Sequence, residues 1–185
     1  MPEQGMHAGE AKKAIIMKRR VFGVGMVATL TVAGCGTTSG RGRFKTYDGP
    51  EVTSVLLNKG DRKLYLFNND VVMKQYRFDL GFAPVGDKKI EGDGKTPEGN
   101  YIVDKRNPNS AFHLSVGISY PDESDIAEAR AMGKSPGGDI FIHGQPNTYR
   151  PKGADWTAGC IAVRNREIQE IYAMVKNGTP ITLTA

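Results

Sequence analysis

Residues 142–164 read I-H-G-Q-P-N-T-Y-R-P-K-G-A-D-W-T-A-G-C-I-A-V-R, and this stretch decides how the rest of the chain is understood. Between His143 and Cys160 lie Gly144, Pro146, Pro151 and Gly153 among polar residues, which is loop composition. D-I-F-I-H at 139–143 predicts a strand end before the loop, and C-I-A-V at 160–163 predicts a strand start after it. Loops held on strand ends are where catalytic groups commonly sit. The glycine of Thr157-Ala158-Gly159-Cys160 lets the backbone turn sharply at the thiol and offer the Gly159 N–H to a carbonyl oxygen. That arrangement suits acyl transfer by a cysteine nucleophile with His143 as base. On the residues alone a second reading stays open, in which Cys160 is a small buried apolar residue and His143 a hydrogen-bonded strand-end histidine. Three His and two Cys do not assemble a zinc site, so no metal and no cofactor is expected.

Working outward, the N-terminus carries a different signal. Met17-Lys18-Arg19-Arg20 precedes the apolar run Val21 to Ala33, and Gly34-Cys35 follows. A charged segment, a short apolar segment and a small-residue cleavage site make a secretory signal, too short to span a bilayer. Val32-Ala33-Gly34-Cys35 resembles a bacterial lipobox, which implies that residues 1–34 are a signal peptide and that Cys35 carries a lipid. Met17 is a candidate for the true start; a plain membrane anchor at 21–34 is the competing account. With Cys35 lipidated, Cys160 is the one free thiol in an oxidising compartment, where an unused thiol is a liability. The competing account there is a disulfide between Cys35 and Cys160.

The basicity of the chain weakens under the same cut. Residues 1–34 hold five of the 25 Lys/Arg and two of the 20 Asp/Glu, which leaves a net charge of +2 beyond them. The remaining basic residues are scattered, so nucleic acid is not expected as a partner. Residues 36–50 have linker composition, so 35–50 read as the lipidated cysteine and a flexible tether.

From residue 51 onward, strand signals dominate. Runs at 52–57, 63–67 and 71–78 predict a three-strand meander, with both faces of 63–67 apolar and hence covered on both sides. Residues 81–99 read as loop, 100–104 and 111–116 as strands, and 179–183 as the closing strand. Asp122, Glu123 and Asp125 open a weakly apolar surface helix that Gly133 ends. A second helix is capped by Asn165 and carries Ile168, Ile171, Tyr172 and Val175 at helical spacing until Asn177-Gly178. The fold class expected is mainly β with two helices.

Several stretches in order then resemble the L,D-transpeptidase catalytic domain family, often called YkuD-type, over nearly all of 51–185. They are Thr96-Pro97-Glu98-Gly99-Asn100-Tyr101, Phe112-His113-Leu114-Ser115, Ile142-His143-Gly144 and Thr157-Ala158-Gly159-Cys160-Ile161. The resemblance implies a β-sandwich-like catalytic domain that acts on peptidoglycan stem peptides in the periplasmic cell envelope. It implies Cys160 as nucleophile and His143 as base, oriented by the Gly144 carbonyl. Thr157, Trp156, Asp155, Arg164 and His113 are the candidate substrate contacts. Two positions depart from the family's Ser/Thr-His-Gly-Cys pattern and its later Arg: Ala158 stands at the His position and Ala162 at the Arg position. Similar variants include hydrolases of murein-linked lipoprotein, so hydrolysis stands beside transpeptidation, and a non-catalytic peptidoglycan-binding protein is the alternative of another class. If strand character runs from Cys160 onward, Arg164 shares a face with Cys160 and Ala162 and takes the missing guanidinium's place.

Overall fold

In the computed structural model, which describes residues 42–185, the elements run β1 (Ser54–Asn58), β2 (Lys63–Asn68), β3 (Val71–Arg77), β4 (Gly99–Asn107), β5 (Ser115–Ile118), α1 (Glu123–Ala131), β6 (Phe141–His143), β7 (Ile161–Ala162), α2 (Asn165–Met174) and β8 (Pro180–Thr184). The segment read as a signal peptide, and Cys35, lie outside the described residues. The strands form one sheet in the order β3-β2-β1-β8-β4-β5-β6-β7. Pairing is antiparallel except for β1 with β8 and β6 with β7. Long β4 joins the two halves: Gly99 to Ile102 pair with β8, and Val103 to Asn107 pair with β5 across a register shift. The sheet curls at that irregularity. The fold is mainly β with two helices, as the sequence predicts.

The core draws on both halves of the sheet. Leu57, Leu64, Leu66, Ile181 and Leu183 come from one half, and Val116, Ile118, Ile142 and Ile161 from the other, all buried. Ile168 and Ile171 of α2 are fully buried, and α2 packs on β5 and β6, so the helical spacing read in the sequence is what seats β6. Helix α1 buries only Ala129 and is capped by Asp122, whose side chain accepts from the Ser124 and Asp125 N–H groups. No helix among the described residues is long and apolar enough to cross a membrane.

Four expectations are corrected. Residues 111–114 are a turn, because His113 adopts φ 72°, a left-handed conformation that cannot continue a ladder, and the strand starts only at Ser115. Strand β2 is buried on one face only; Tyr65 and Phe67 on the other are half-buried, with ring centroids 6.1 Å apart. Strand β7 stops at Ala162, and Arg164, not Asn165, is the cap residue of α2, with the Glu167 carboxylate accepting its N–H at 3.0 Å. Finally, the stretch read as tether meets α2 at two residues: the rings of Phe44 and Tyr172 lie tilted with centroids 6.1 Å apart, and Lys45 pairs with Glu170 at 2.8 Å.

Candidate active site

Parallel neighbours need a crossover of a dozen or more residues, and loop 144–160 supplies it between β6 and β7. His143 closes β6 with 3% exposure. Its Nδ1–H donates to the Gly144 carbonyl at 2.7 Å; a carbonyl can only accept, so Nε2 is left with the lone pair. Phe112 (4.5 Å between centroids) and the edge-on Trp156 (5.7 Å) wall the ring. Burial lowers the pKa of His143 below its ordinary value, more than the Gly144 hydrogen bond raises it. The imidazole is therefore neutral near neutral pH.

Gly144 sits where no side chain fits. A Cβ there would come within 2.6 Å of Asn165 Oδ1 and 2.9 Å of the Phe112 carbonyl. Its N–H donates to Phe112 O at 2.9 Å, and Asn165 Oδ1 accepts the Gln145 N–H at 2.7 Å. Asn165 thus fixes the backbone that carries the carbonyl holding His143.

Cys160 immediately precedes β7. Ile142 pairs with Ile161 and His143 with Ala162, so the register brings Cys160 beside Phe141 at the head of the β6–β7 pair. The Phe141 N–H donates to Sγ at 3.4 Å, and the free thiol reaches the Asp139 carbonyl at 3.4 Å. The half-buried thiol opens on a cavity of about 320 Å³ lined by Lys88, Glu91, Gly137, Asp139 and Ala158. Burial pushes the Cys160 pKa up; the Phe141 N–H and the Lys88 charge oppose it, while the Asp139 carboxylate adds to it.

The turn before the thiol is held by two threonine hydroxyls. Thr157 Oγ1 donates to the Cys160 carbonyl at 2.7 Å and accepts from the Gly159 N–H at 3.2 Å. Thr96 Oγ1, fully buried, donates to the Gly159 carbonyl at 2.8 Å. Gly159 has φ 132°, and a Cβ on it would lie 2.6 Å from the Lys95 carbonyl. In a trans peptide C=O and N–H point in opposite directions, so Thr96, by fixing the Gly159 carbonyl, aims the Cys160 N–H away from the core. The Gly159 N–H expected at an oxyanion is engaged by Thr157, and the Cys160 N–H is the donor this geometry leaves for one.

The other candidates divide. Trp156 and Thr157 join the His143–Cys160 region. Asp155 is a clamp, its Oδ1 accepting the Leu80 N–H at 2.9 Å and its Oδ2 the Arg62 guanidinium at 2.8 Å. Arg164 is exposed and lines a different cavity from Cys160, together with Asp155. Nε2 of His113 hydrogen-bonds to Gln169 Nε2 of α2 at 2.9 Å, and burial, then the Arg43 charge, lowers its pKa. Sequence reasoning missed Thr96 and Asn165 as positioning residues. The signal for Thr96 was its place at the head of the Thr96-Pro97-Glu98-Gly99 run.

The model of the YkuD family, L,D-transpeptidase catalytic domain, matches residues 53–183. YafK of Escherichia coli (strain K12) is 29% identical over 106 residues, covering 56% of this chain and 37% of that protein. The crystal structure of the helical cell shape determining protein Pgp2 (K307A mutant) from Campylobacter jejuni matches with a TM-score of 0.57 at 29% identity, covering 74% of this chain and 48% of that one. Bd1075 of Bdellovibrio bacteriovorus matches with a TM-score of 0.53 at 25% identity, covering 76% of this chain and 50% of that one. The chain thus spans about half the length of these solved relatives, and less of YafK.

Proposed function

This chain belongs to the L,D-transpeptidase catalytic domain family, and from that premise we propose that Cys160 carries out acyl transfer on peptidoglycan stem peptides in the cell envelope. The observation that carries the reading is His143 Nδ1–H held on the Gly144 carbonyl, which leaves Nε2 as a base at the end of the strand whose Phe141 N–H donates to the Cys160 thiol. Nε2 takes the thiol proton as Sγ attacks the peptide carbonyl, and the Cys160 N–H donates to the oxygen on which charge develops. As the tetrahedral intermediate collapses, the carbon–nitrogen bond breaks and the imidazolium returns the proton to the leaving amine, which leaves a thioester on Cys160. An amine acceptor then gives a new peptide cross-link, regenerating the thiol.

Water in place of the amine gives hydrolysis of a stem peptide or of a link between peptidoglycan and lipoprotein. The observation favouring this second reading is the pair of methyl groups, at Ala158 and Ala162, where the family pattern carries His and Arg. Mass analysis of peptidoglycan incubated with the full chain in detergent separates the two: new cross-links mark transpeptidation, shortened stems or released protein fragments mark hydrolysis, and none of these would overturn the enzymatic reading in favour of a binding protein.

In this reading Cys35 carries a lipid that keeps the domain at a membrane of the envelope. A Cys35→Ala variant is expected to leave the membrane fraction with its turnover intact; unchanged partitioning would reject the anchor.

A further inference from the structure

A second cavity, of about 290 Å³, is lined by Arg62, Arg77, Arg164, Asp155, Gln145 and Ala162 among others. Arg62, Arg77 and Arg164 line it together with Asp79 and Asp155, a formal surplus of one positive charge. Asp155 is already spent on Leu80 and on Nη2 of Arg62. Arg77 and Arg164 are exposed and form no ion pair among the described residues. Planar guanidinium forks match a carboxylate in bidentate fashion. Ala162 lines the cavity two residues after Cys160, about 7 Å of extended chain.

We propose that this cavity is a carboxylate subsite that holds a free carboxylate of the peptide whose carbonyl Cys160 attacks. The proposal rests on the acyl-transfer reading for its ligand, and on the cavity alone for its chemistry. Two carboxylates of a stem peptide share that chemistry: the one at the chain end and the one on the side-chain centre of a diamino acid.

The test uses the full chain in detergent with Cys160→Ala, so that no ligand is consumed. Trp156, the sole tryptophan and the neighbour of Asp155, reports binding by fluorescence, with calorimetry as the second measurement. A stem tetrapeptide is titrated as the free acid, as its chain-end amide and as its side-chain amide. The expected result is a Kd at least tenfold higher for the form amidated at the recognised carboxylate. That difference should vanish in Arg77→Ala/Arg164→Ala, whose exposed side chains leave the fold intact by thermal melt, and partly survive in Arg77→Lys/Arg164→Lys. Equal affinities for all three forms, or an acid preference unchanged in the double alanine variant, would overturn the subsite. Should no tetrapeptide bind in any form, N-acetylalanine against its amide decides the cavity by itself: no preference for the acid overturns it. The acyl-transfer reading fails separately, through unchanged peptidoglycan turnover when Cys160→Ala replaces the wild type.

Discussion

His143 ends β6 and Cys160 immediately precedes β7, in opposite surroundings. The histidine is enclosed, its ring walled by Phe112 and Trp156 and one nitrogen tied to Gly144, whereas the thiol opens on a cavity lined by Lys88 and Glu91 among others. Burial acts on both but in opposite directions, pulling the imidazole pKa down and pushing the thiol pKa up. The two shifts favour a neutral imidazole and a neutral thiol at rest, so under the proposed mechanism the proton moves only when a substrate carbonyl arrives. Enclosure sets the state of the base, and access sets the partner of the nucleophile.

The comparison breaks most completely at the open end. Cys160→Ala should lower peptidoglycan turnover on the order of 10³-fold or more while the melting temperature stays within a few degrees, since it removes the nucleophile and few contacts. Turnover equal to wild type would end the cysteine mechanism.

Thr96→Val tests how firmly the turn is held. The isosteric change leaves the Gly159 carbonyl buried without its hydroxyl and frees the peptide plane that carries the Cys160 N–H. The expected loss is about 10- to 100-fold in kcat with little change in KM, and Thr96→Ser should restore most of it. An equal loss in the serine variant would make Thr96 a packing residue.

Gly144→Ala attacks the enclosed end. The added methyl meets Asn165 Oδ1 and the Phe112 carbonyl, both backbone-anchored or hydrogen-bonded, so the carbonyl that holds His143 must shift. A loss of roughly tenfold in kcat and about 1–3 kcal/mol in stability is expected. Wild-type kinetics would detach the Gly144 carbonyl from the function of His143.

What the sequence showed and what it hid follow the range of the contacts. Helix α2 was legible because Ile168 and Ile171 sit at helical spacing, and the loop between His143 and Cys160 because Gly144, Pro146, Pro151 and Gly153 lie within it. The task of Thr96 is hidden from the sequence, since its acceptor lies 63 residues away. The turn at His113 was read as strand because Phe112 and Leu114 are apolar in either conformation, and only the backbone angle tells them apart. The arginine cavity assembles residues 62, 77 and 164, a combination that no local pattern announces.

The smallest effect expected is in the pH dependence, and it separates the two members of the pair. Alkylation follows the thiolate fraction, and the raised pKa of Cys160 keeps that fraction small at neutral pH. The iodoacetamide labelling rate should therefore climb about tenfold per pH unit through the neutral range, still rising where an ordinary thiol has levelled off. Turnover responds to the other partner. The lowered pKa of His143 keeps Nε2 unprotonated to below the ordinary histidine value, so the acid limb of kcat/KM is displaced downward and the neutral range is flat. The two profiles then diverge near pH 7, labelling steep and turnover level. Labelling that is fast and independent of pH between about 6 and 8 would show instead a resting thiolate–imidazolium pair, and with it that the enclosed histidine is charged despite its burial.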